Sequence, residues 1–175
     1  MIARVLAAHD AGAYGELIGR HQSQVRNFLR KLSGDFSLAD DLAQECFLHA
    51  WDKLANYSGH GSFIGWLLKI AYTTFLQSKR KSKRYAEVLS EAGQLADVQG
   101  GSHVLQSDEL TDLDKLLAVL SEEERAIMIM SYACGLSHRE IADSVAQPVG
   151  TIKSVIFRSK EKIRASFEIK DHQHG

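Results

Sequence analysis

Apolar residues recur every three or four positions through several stretches of this chain, which is the period of an amphipathic helix. The first stretch runs from Tyr14 to Leu32 and predicts one long helix that ends at Gly34 and Asp35. A second helix is predicted from about Ser37 to Leu54, and a third begins at Phe63. Three helices with short connections make a compact domain in the first half of the chain.

The third predicted helix follows a glycine-containing loop, with Ser62 placed to cap its first turn, and it runs into a basic cluster. Five of the six residues from Lys79 to Arg84 are basic. Aromatic side chains near basic groups are what a surface needs to stack unpaired bases while it holds the backbone. The aromatic residues in question are Tyr57, Phe63, Trp66, Tyr72 and Phe75. The plainer interpretation is that most of these rings, Phe63 and Trp66 above all, belong to the core.

The segment that follows the basic cluster is acidic and only weakly periodic. From Tyr85 to Asp114 it holds seven acids and no Lys or Arg, and it contains three glycines. We interpret it as a linker up to Thr111. Beyond it the pattern predicts a short helix, then a helix that starts at a capping box and closes near Gly135. The capping box consists of Ser121 and Glu124.

The last part of the chain, from Ser137 to Phe167, has the pattern of two helices joined by a tight turn. A second capping box, Ser137 with Glu140, predicts the start of the first helix, which should end near Val145. The turn is set by Pro148, the only proline in the chain, because proline disfavours helical geometry at the residue before it. Two small residues stand where the helices are expected to cross closely: Ala142 and Ala146.

The second helix of this pair has one apolar stripe and one polar, largely basic face. The stripe holds Ile152, Val155, Ile156, Ile163 and Phe167, and the other face holds Lys153, Ser154, Phe157, Arg158, Glu161 and Arg164. A helix-turn-helix places its second helix in the major groove of DNA, where residues near its N-terminal end read base edges. The candidate readers are Lys153, Ser154, Phe157 and Arg158, and the candidate phosphate contacts are Lys160, Lys162 and Arg164. A solvated surface helix is the alternative.

Composition narrows the classes of protein that fit. The 175 residues suffice for two small domains, and the net charge of −1 argues against a uniformly basic nucleic-acid binder. Two isolated cysteines and eight scattered histidines lack metal-ligand spacing, so we expect no metal and no cofactor. The sequence contains no pairing of a nucleophile with a general base that would indicate an enzyme. No apolar run approaches the roughly 20 residues of a membrane span, and a cytoplasmic protein is expected.

Three segments in order resemble the extracytoplasmic-function (ECF) group of bacterial sigma factors, which confer promoter specificity on RNA polymerase. The segment ADDLAQECFLHAW, from Ala39 to Trp51, is similar to the family's polymerase-binding helix, and FIGWLLKIAYT, from Phe63 to Thr73, to its promoter-melting helix. The segment from Leu120 to Arg164 is similar to the domain that reads the minus-thirty-five element. The resemblance implies an all-α fold of two small helical domains joined by a flexible acidic linker, with boundaries at 1–84, 85–111, 112–168 and a tail at 169–175.

The resemblance also implies partners and sites. The partners would be core polymerase, through the clamp helices of its largest subunit and its flap, promoter DNA, and an anti-sigma factor. Polymerase-binding residues would be Asp41, Gln44, Glu45, Leu48 and Asp52, although the residues alone favour a single exposed leucine as the explanation of Leu48. Residues at the minus-ten element would be Tyr57, His60, Tyr72, Thr73, Gln77, Lys79 and Arg80. Arg139 and Thr151 would join the candidates at the minus-thirty-five element.

The chain departs from the family pattern in the promoter-melting helix. The family usually has Arg-Asn where this chain has Tyr72 and Thr73, and Gln77 replaces a commoner polar partner. The minus-ten preference of this chain therefore does not follow from the family pattern. A stand-alone helix-turn-helix repressor or activator is the second hypothesis, with the first three helices as a dimerisation or ligand domain, and an enzyme is the third.

Overall fold

The computed structural model describes residues 10–91 and 111–171, together with Ile2 and Val5. Within these residues the fold is all-α, with two helical bundles and no β-strand. The helices of the first half are α1 (Ala11–Gly19), α2 (Gln22–Ser33), α3 (Phe36–Lys53), a 3-10 turn (Leu54–Asn56) and α4 (Phe63–Glu91). Those of the second half are α5 (Asp112–Leu117), α6 (Glu122–Tyr132), α7 (His138–Val145) and α8 (Val149–Asp171).

The single long helix predicted from Tyr14 to Leu32 is wrong, because the structure breaks it into α1 and α2. Arg20 and His21 form a turn between the two helices, and His21 has a φ of −118°. Gly19, the last residue of α1, is a poor helix former and favours a break there. Periodicity did not reveal the break because apolar residues continue at a spacing of three to four positions from α1 into α2.

The ends of α2 and α3 follow the sequence signals closely. Gly34 has a φ of +69° and caps α2, a left-handed conformation that glycine adopts without steric cost. Asp35 then caps α3, since its Oδ1 accepts a hydrogen bond from the Leu38 amide at 3.0 Å. Helix α3 packs against α2 and α4 through its apolar face, and its other face stays in solvent.

Helix α4 is longer than the sequence pattern suggested. Ser62 caps it as predicted, accepting a hydrogen bond from the Gly65 amide at 3.2 Å. The helix then passes through the basic cluster and continues to Glu91, so that the first residues assigned to the linker are helical. The remaining linker residues, 92–110, and the tail from 172 lie outside the described residues.

The second bundle is defined by its helix caps. Both predicted capping boxes are confirmed, Ser121 with Glu124 at α6 and Ser137 with Glu140 at α7, and in each the two reciprocal hydrogen bonds are present. Gly135 turns the chain after α6 with a φ of +68°, as its position predicted. The first helix of the pair ends at Val145 and the second begins directly after Pro148, so the helix-turn-helix geometry is confirmed.

The role expected for Ala146 is wrong. Ala142 is 5% exposed and packs in the core, but Ala146 is exposed and ends α7 in the left-handed conformation, with φ 56° and ψ 47°. The amides of Ala146 and Gln147 both donate to the Ala142 carbonyl, which closes the helix. Ala146 is the only non-glycine residue with positive φ among the residues described.

This cap yields a stability prediction. A left-handed alanine costs roughly 1 to 2 kcal/mol that glycine avoids, partly offset by glycine's greater freedom when unfolded. Ala146→Gly should therefore raise the free energy of unfolding by about 0.5 to 1 kcal/mol, measured by urea denaturation followed by circular dichroism. Ala165→Gly is the matched control, exposed inside α8, and should lower it by about 1 kcal/mol. A loss of stability in both variants would contradict the strain at Ala146.

The two bundles pack against each other and share one cluster of buried apolar residues. Helix α7 lies across α4, and α6 lies against α2. Lys31 on α2 pairs with Asp114 at 3.3 Å, and the Arg125 guanidinium reaches from α6 to the Leu32 carbonyl at 3.5 Å. The surfaces expected to bind DNA therefore come together in one body, and the contacts between the bundles decide which of them are accessible.

Candidate nucleic-acid interface

The outer face of α8 presents the candidate base readers together. Ile152, Val155 and Ile156 are buried, so this apolar stripe anchors the helix while its opposite face points to solvent. Lys153, Ser154, Phe157 and Arg158 are all exposed, and Phe157 keeps 65% of its surface accessible. A large aromatic ring between two cations, held out from a rigid helix, suits contact with base edges and a thymine methyl.

The other residues predicted for this interface are placed in different ways. Arg139 is exposed in the first turn of α7, and Thr151 is half-buried at the start of α8. Lys162 pairs with Glu124 at 2.6 Å, and this contact is the main cause of the lowered pKa of that carboxyl. Arg164 pairs with Glu161, at 2.8 Å, and Lys160 lies over the Tyr132 ring, 5.2 Å from its centroid. These three cations have partners within their own bundle, which separates them from Lys153 and Arg158.

The loop before α4 carries the first of the minus-ten candidates. Gly59 and Gly61 have φ of +74° and +76°, conformations that favour glycine, and they shape the loop that presents His60 to solvent. The Tyr57 hydroxyl donates to the Gly61 carbonyl at 3.2 Å. The rings of Tyr57, Phe63 and Trp66 pack together with centroids 5.3 to 5.6 Å apart. Phe63 and Trp66 are half-buried in this ring cluster, so the core interpretation is the better one for them.

Helix α4 carries the remaining minus-ten candidates. Thr73, Gln77 and Arg80 are exposed along one side of the helix, although the Thr73 hydroxyl donates to the Lys69 carbonyl at 2.8 Å. Lys79 is exposed on a different side and pairs with Glu122 at 2.7 Å. Tyr72 does not join them, because it is only 6% exposed. Burial raises the pKa of Tyr72, and the nearby acids Glu123 and Glu122 raise it further. Two residues of the second bundle thus lie close to a side chain expected to face DNA.

The exposed face of α3 is as the pattern predicted. Asp41, Gln44, Glu45, Leu48 and Asp52 are all exposed, and Leu48 keeps 68% of its surface accessible. An apolar side chain rimmed by polar residues has the anatomy of a protein-binding patch. Sequence reasoning missed its neighbours in a shallow apolar pocket: Ala11, Tyr14, Phe47 and Trp51. The Tyr14 hydroxyl donates to the Phe47 carbonyl at 2.5 Å, and its ring meets Trp51 edge to face at 4.8 Å.

A second apolar groove was also missed. It has a volume of about 220 Å³ between α5, α6 and α8, and its rim includes the exposed side chains of Leu113 and Tyr132. The signal was present in the sequence as leucines on both sides of the short α5 helix, but a helix of six residues gives too little periodicity to assign faces.

Glu140 makes several hydrogen bonds within its own bundle and to the other bundle. Its Oε2 accepts from the amide and hydroxyl of Ser137, at 2.9 and 2.7 Å, as the capping box requires. Its Oε1 accepts from the Ser62 amide at 2.9 Å and from the Ser62 hydroxyl. These bonds, that from the Ser62 hydroxyl above all, lower the pKa of Glu140 to about 2, so that the carboxylate is ionised at neutral pH. One carboxylate thus joins the first turns of α4 and α7.

The described residues give little support for metal binding or for a reactive cysteine. Residues 10–91 and 111–171 contain no group of three or more His, Cys, Asp or Glu side chains that could hold a metal ion. Burial raises the pKa of the Cys46 thiol to about 12 and that of Cys134 to about 11, which makes both poor nucleophiles. Among the same residues no helix has the length and apolar character to span a bilayer.

Comparison with known proteins places both bundles in one family. Residues 17–85 match the model of Sigma-70 region 2, and residues 110–163 match that of Sigma-70 region 4. The chain is 30% identical to the ECF RNA polymerase sigma-E factor of Escherichia coli strain K12, over 88% of this chain and 86% of the relative. It is 28% identical to the RNA polymerase sigma-H factor of Pseudomonas aeruginosa, with the same coverage.

Solved structures agree with this assignment. The sigma factor RpoE of Bartonella quintana, in complex with the anti-sigma factor NepR, superposes with a TM-score of 0.71 at 26% identity, over 90% of this chain and 98% of that chain. CnrH, in complex with the cytosolic domain of CnrY, has a TM-score of 0.69 at 20% identity, over 96% and 95%, and shows the same fold. The matches to both Sigma-70 regions and to the ECF relative cover both helical bundles, and the chain belongs to the ECF family of RNA polymerase sigma factors.

Proposed function

We propose that this sigma factor docks on core polymerase through α3 and directs it to promoters through α8 and α4. The observation that carries the assignment is the outer face of α8, where four candidate readers are exposed on a helix fixed by its buried stripe. In this role the protein works in the cytoplasm beside polymerase and is not itself an enzyme. Sequence specificity comes from Lys153 and Arg158, which have the donors that read guanine.

The polymerase contact is proposed for Leu48 and the apolar pocket beside it. Leu48, Phe47 and Trp51 lie together at the surface, and the acids and amide around them form a polar rim. Residues at the core of a protein interface are apolar and aromatic, and those at its rim are polar. This patch has the same arrangement, an apolar centre surrounded by polar residues. The groove between α5, α6 and α8 is the corresponding site for the polymerase flap.

Regulation by an anti-sigma factor is part of the proposal. The support is the superposition on a sigma factor that was solved with its anti-sigma factor bound, which covers both bundles of this chain. Such a partner would cover the apolar patch on α3 or the groove between α5, α6 and α8, because both surfaces are apolar and exposed.

Reconstituted transcription tests the function directly. Core polymerase mixed with the purified chain should produce discrete run-off transcripts from a subset of genomic promoters, and core alone should produce none. The free chain should bind promoter duplex weakly. Tight, sequence-specific binding of duplex without polymerase would instead support a stand-alone helix-turn-helix regulator.

A further inference from the structure

Helix α1 supplies one wall of the apolar pocket beside Leu48. This pocket, here named the α1–α3 pocket, has a volume of about 460 Å³ and is lined by Ala11, Tyr14, Gln44, Phe47, Leu48 and Trp51. At about 30 Å³ per water molecule, the volume corresponds to roughly fifteen waters and is large enough for a whole side chain. Water against mostly apolar walls is displaced favourably by an apolar group. The α1–α3 pocket is therefore suited to an apolar side chain of a partner.

Tyr14 fixes the wall that α1 contributes. Its hydroxyl donates to the Phe47 carbonyl at 2.5 Å, and its ring meets the Trp51 ring edge to face, with centroids 4.8 Å apart. A carbonyl inside a helix already accepts the amide four residues on, and its second lone pair is available for the hydroxyl. Burial raises the pKa of Tyr14, and Cys46 and Asp52 raise it further, so the hydroxyl keeps its proton at neutral pH. One side chain thus ties α1 to two lining residues of α3.

The rest of α1 is held in place by contacts outside the pocket. Asp10 caps the helix, because its Oδ1 accepts a hydrogen bond from the Ala13 amide at 2.9 Å. Ala13 and Leu17 are buried, at 4% and 5% exposure. Ala11 and Tyr14 lie one helical turn apart and both line the pocket, where Ala11 is exposed at the rim. The pocket can therefore be altered at Ala11 without a change in the core.

The surface around the α1–α3 pocket is acidic. The five outward residues of α3 comprise three carboxylates and no lysine or arginine: Asp41, Gln44, Glu45, Leu48 and Asp52. All five are exposed. Complementary charge across an interface speeds association and disfavours partners of the wrong sign. A partner side chain that enters the pocket should therefore have basic residues beside it.

We propose that the α1–α3 pocket receives one apolar side chain of core polymerase, flanked by lysine or arginine, and that Tyr14 is the positioning residue that keeps the pocket formed. This inference rests on the proposed function, which takes core polymerase as the partner of α3, and it adds α1 to the contact. The partner's side chain fills the pocket while Leu48 packs on the partner from the rim. A pocket held ready by Tyr14 binds more tightly, because fewer groups must be ordered on binding.

Filling the pocket tests whether it is occupied in the complex. Ala11→Trp places an indole at the rim, where it competes with the partner's side chain. In a titration of labelled core polymerase with the full chain, the apparent Kd should rise at least about tenfold, as for loss of a central anchor. Ala86→Trp makes the same change at an exposed residue of α4 and should leave the Kd within about twofold. Unimpaired binding by Ala11→Trp would overturn the occupied pocket.

Tyr14→Phe tests the positioning role, because it removes the hydroxyl and keeps the ring. The Kd for core polymerase should rise about threefold to tenfold, the effect of one hydrogen bond. Ala13→Gly is the control, since it weakens the same helix at a buried residue that does not line the pocket. It should change the Kd by less than about twofold. An unchanged Kd in Tyr14→Phe, or equal losses in both variants, would overturn the positioning role.

A spectroscopic measurement on the free chain separates the same two variants. Trp66→Phe leaves Trp51 as the only tryptophan, and quenching of its fluorescence by acrylamide then reports how open the pocket is. Adding Tyr14→Phe should increase the quenching, because the α1 wall is no longer tied to α3. Adding Ala13→Gly should leave it unchanged. Quenching that does not respond to Tyr14→Phe would contradict the role of the hydroxyl.

Two measurements test the chemistry of the occupant. With Leu48 replaced by photo-leucine, irradiation of the complex should link it to an apolar residue of core that has lysine or arginine within about four positions. Combined Asp41→Asn, Glu45→Gln and Asp52→Asn should slow association by about tenfold at low salt and much less at high salt. Adducts confined to polar or acidic segments, or association that is as fast without the carboxylates, would overturn a basic-flanked occupant.

The Leu48→Arg variant distinguishes failure of this inference from failure of the proposed function. If Leu48→Arg binds core polymerase as tightly as the unaltered chain, α3 is not the docking surface and both fail. If Leu48→Arg is impaired while Ala11→Trp and Tyr14→Phe bind normally, docking by α3 stands and the role of the α1–α3 pocket is refuted. Circular dichroism of each variant should show the helical content of the unaltered chain.

Discussion

Replacing Leu48 by arginine should reduce the affinity for core polymerase by at least about 100-fold while the fold stays intact. Leu48 is 68% exposed in the middle of α3, so the substitution leaves the bundle core untouched. In the complex the same side chain would be at the centre of an apolar patch, where truncation of such central residues typically costs 2 kcal/mol or more and an unpaired buried charge costs further. The measurement is a binding titration with fluorescently labelled core enzyme.

Val88→Arg is the matched control for this experiment. Val88 is 61% exposed on α4, so the change introduces the same charge at a similarly exposed aliphatic residue away from the α3 patch. It should leave the affinity within about twofold, and circular dichroism should show both variants fully helical. Holoenzyme assembly by Leu48→Arg at the unaltered level would remove α3 from the interface.

Arg158→Ala should weaken recognition of the minus-thirty-five element by about 1 to 3 kcal/mol, a factor of roughly 5 to 150, if its guanidinium reads a base edge. The loss should be seen on promoters with the preferred element and should disappear when the element is already mutated. Competitive run-off transcription on paired templates measures this directly. Loss of the same size on every template would show that Arg158 contacts phosphate only.

Arg164→Ala provides the contrast along the same helix. Arg164 is 72% exposed and pairs with Glu161, and it lies nearly two turns beyond Arg158. As a phosphate contact it should weaken all templates alike and reduce the salt dependence of binding by about one ion. Arg158 and Arg164 therefore test whether the first part of α8 contacts base edges while its later part contacts phosphates.

Local signals predicted the ends of the helices well. Both capping boxes, the helix end at Gly34 and the turn at Pro148 depend on residues at most three or four positions apart, and the structure has each of them. The outer faces of α3 and α8 followed from periodicity for the same reason. These features are set by near neighbours in sequence, whose spacing fixes their geometry.

The features that sequence reasoning missed depend on contacts that are distant along the chain. Ser62 and Glu140 are separated by 78 positions, so nothing in either segment announces the contact. Tyr72 is buried although its helix face looked open, because the second bundle lies near it. Ala146 is a local exception: it was assigned to a helix crossing from its size alone, and only its left-handed backbone shows that it ends the helix.

The unbroken course of α4 has a consequence for the proposed contact with DNA. Its 29 residues span about 44 Å, with the glycine-containing loop before its first turn and the basic cluster in its second half. Because an α-helix rises about 1.5 Å per residue, the helix keeps the loop and the cluster at a set separation. In the proposed role, the spacing between a base held at the loop and the phosphates bound by the basic cluster is therefore set by the protein, and the strand must adapt its own path to match.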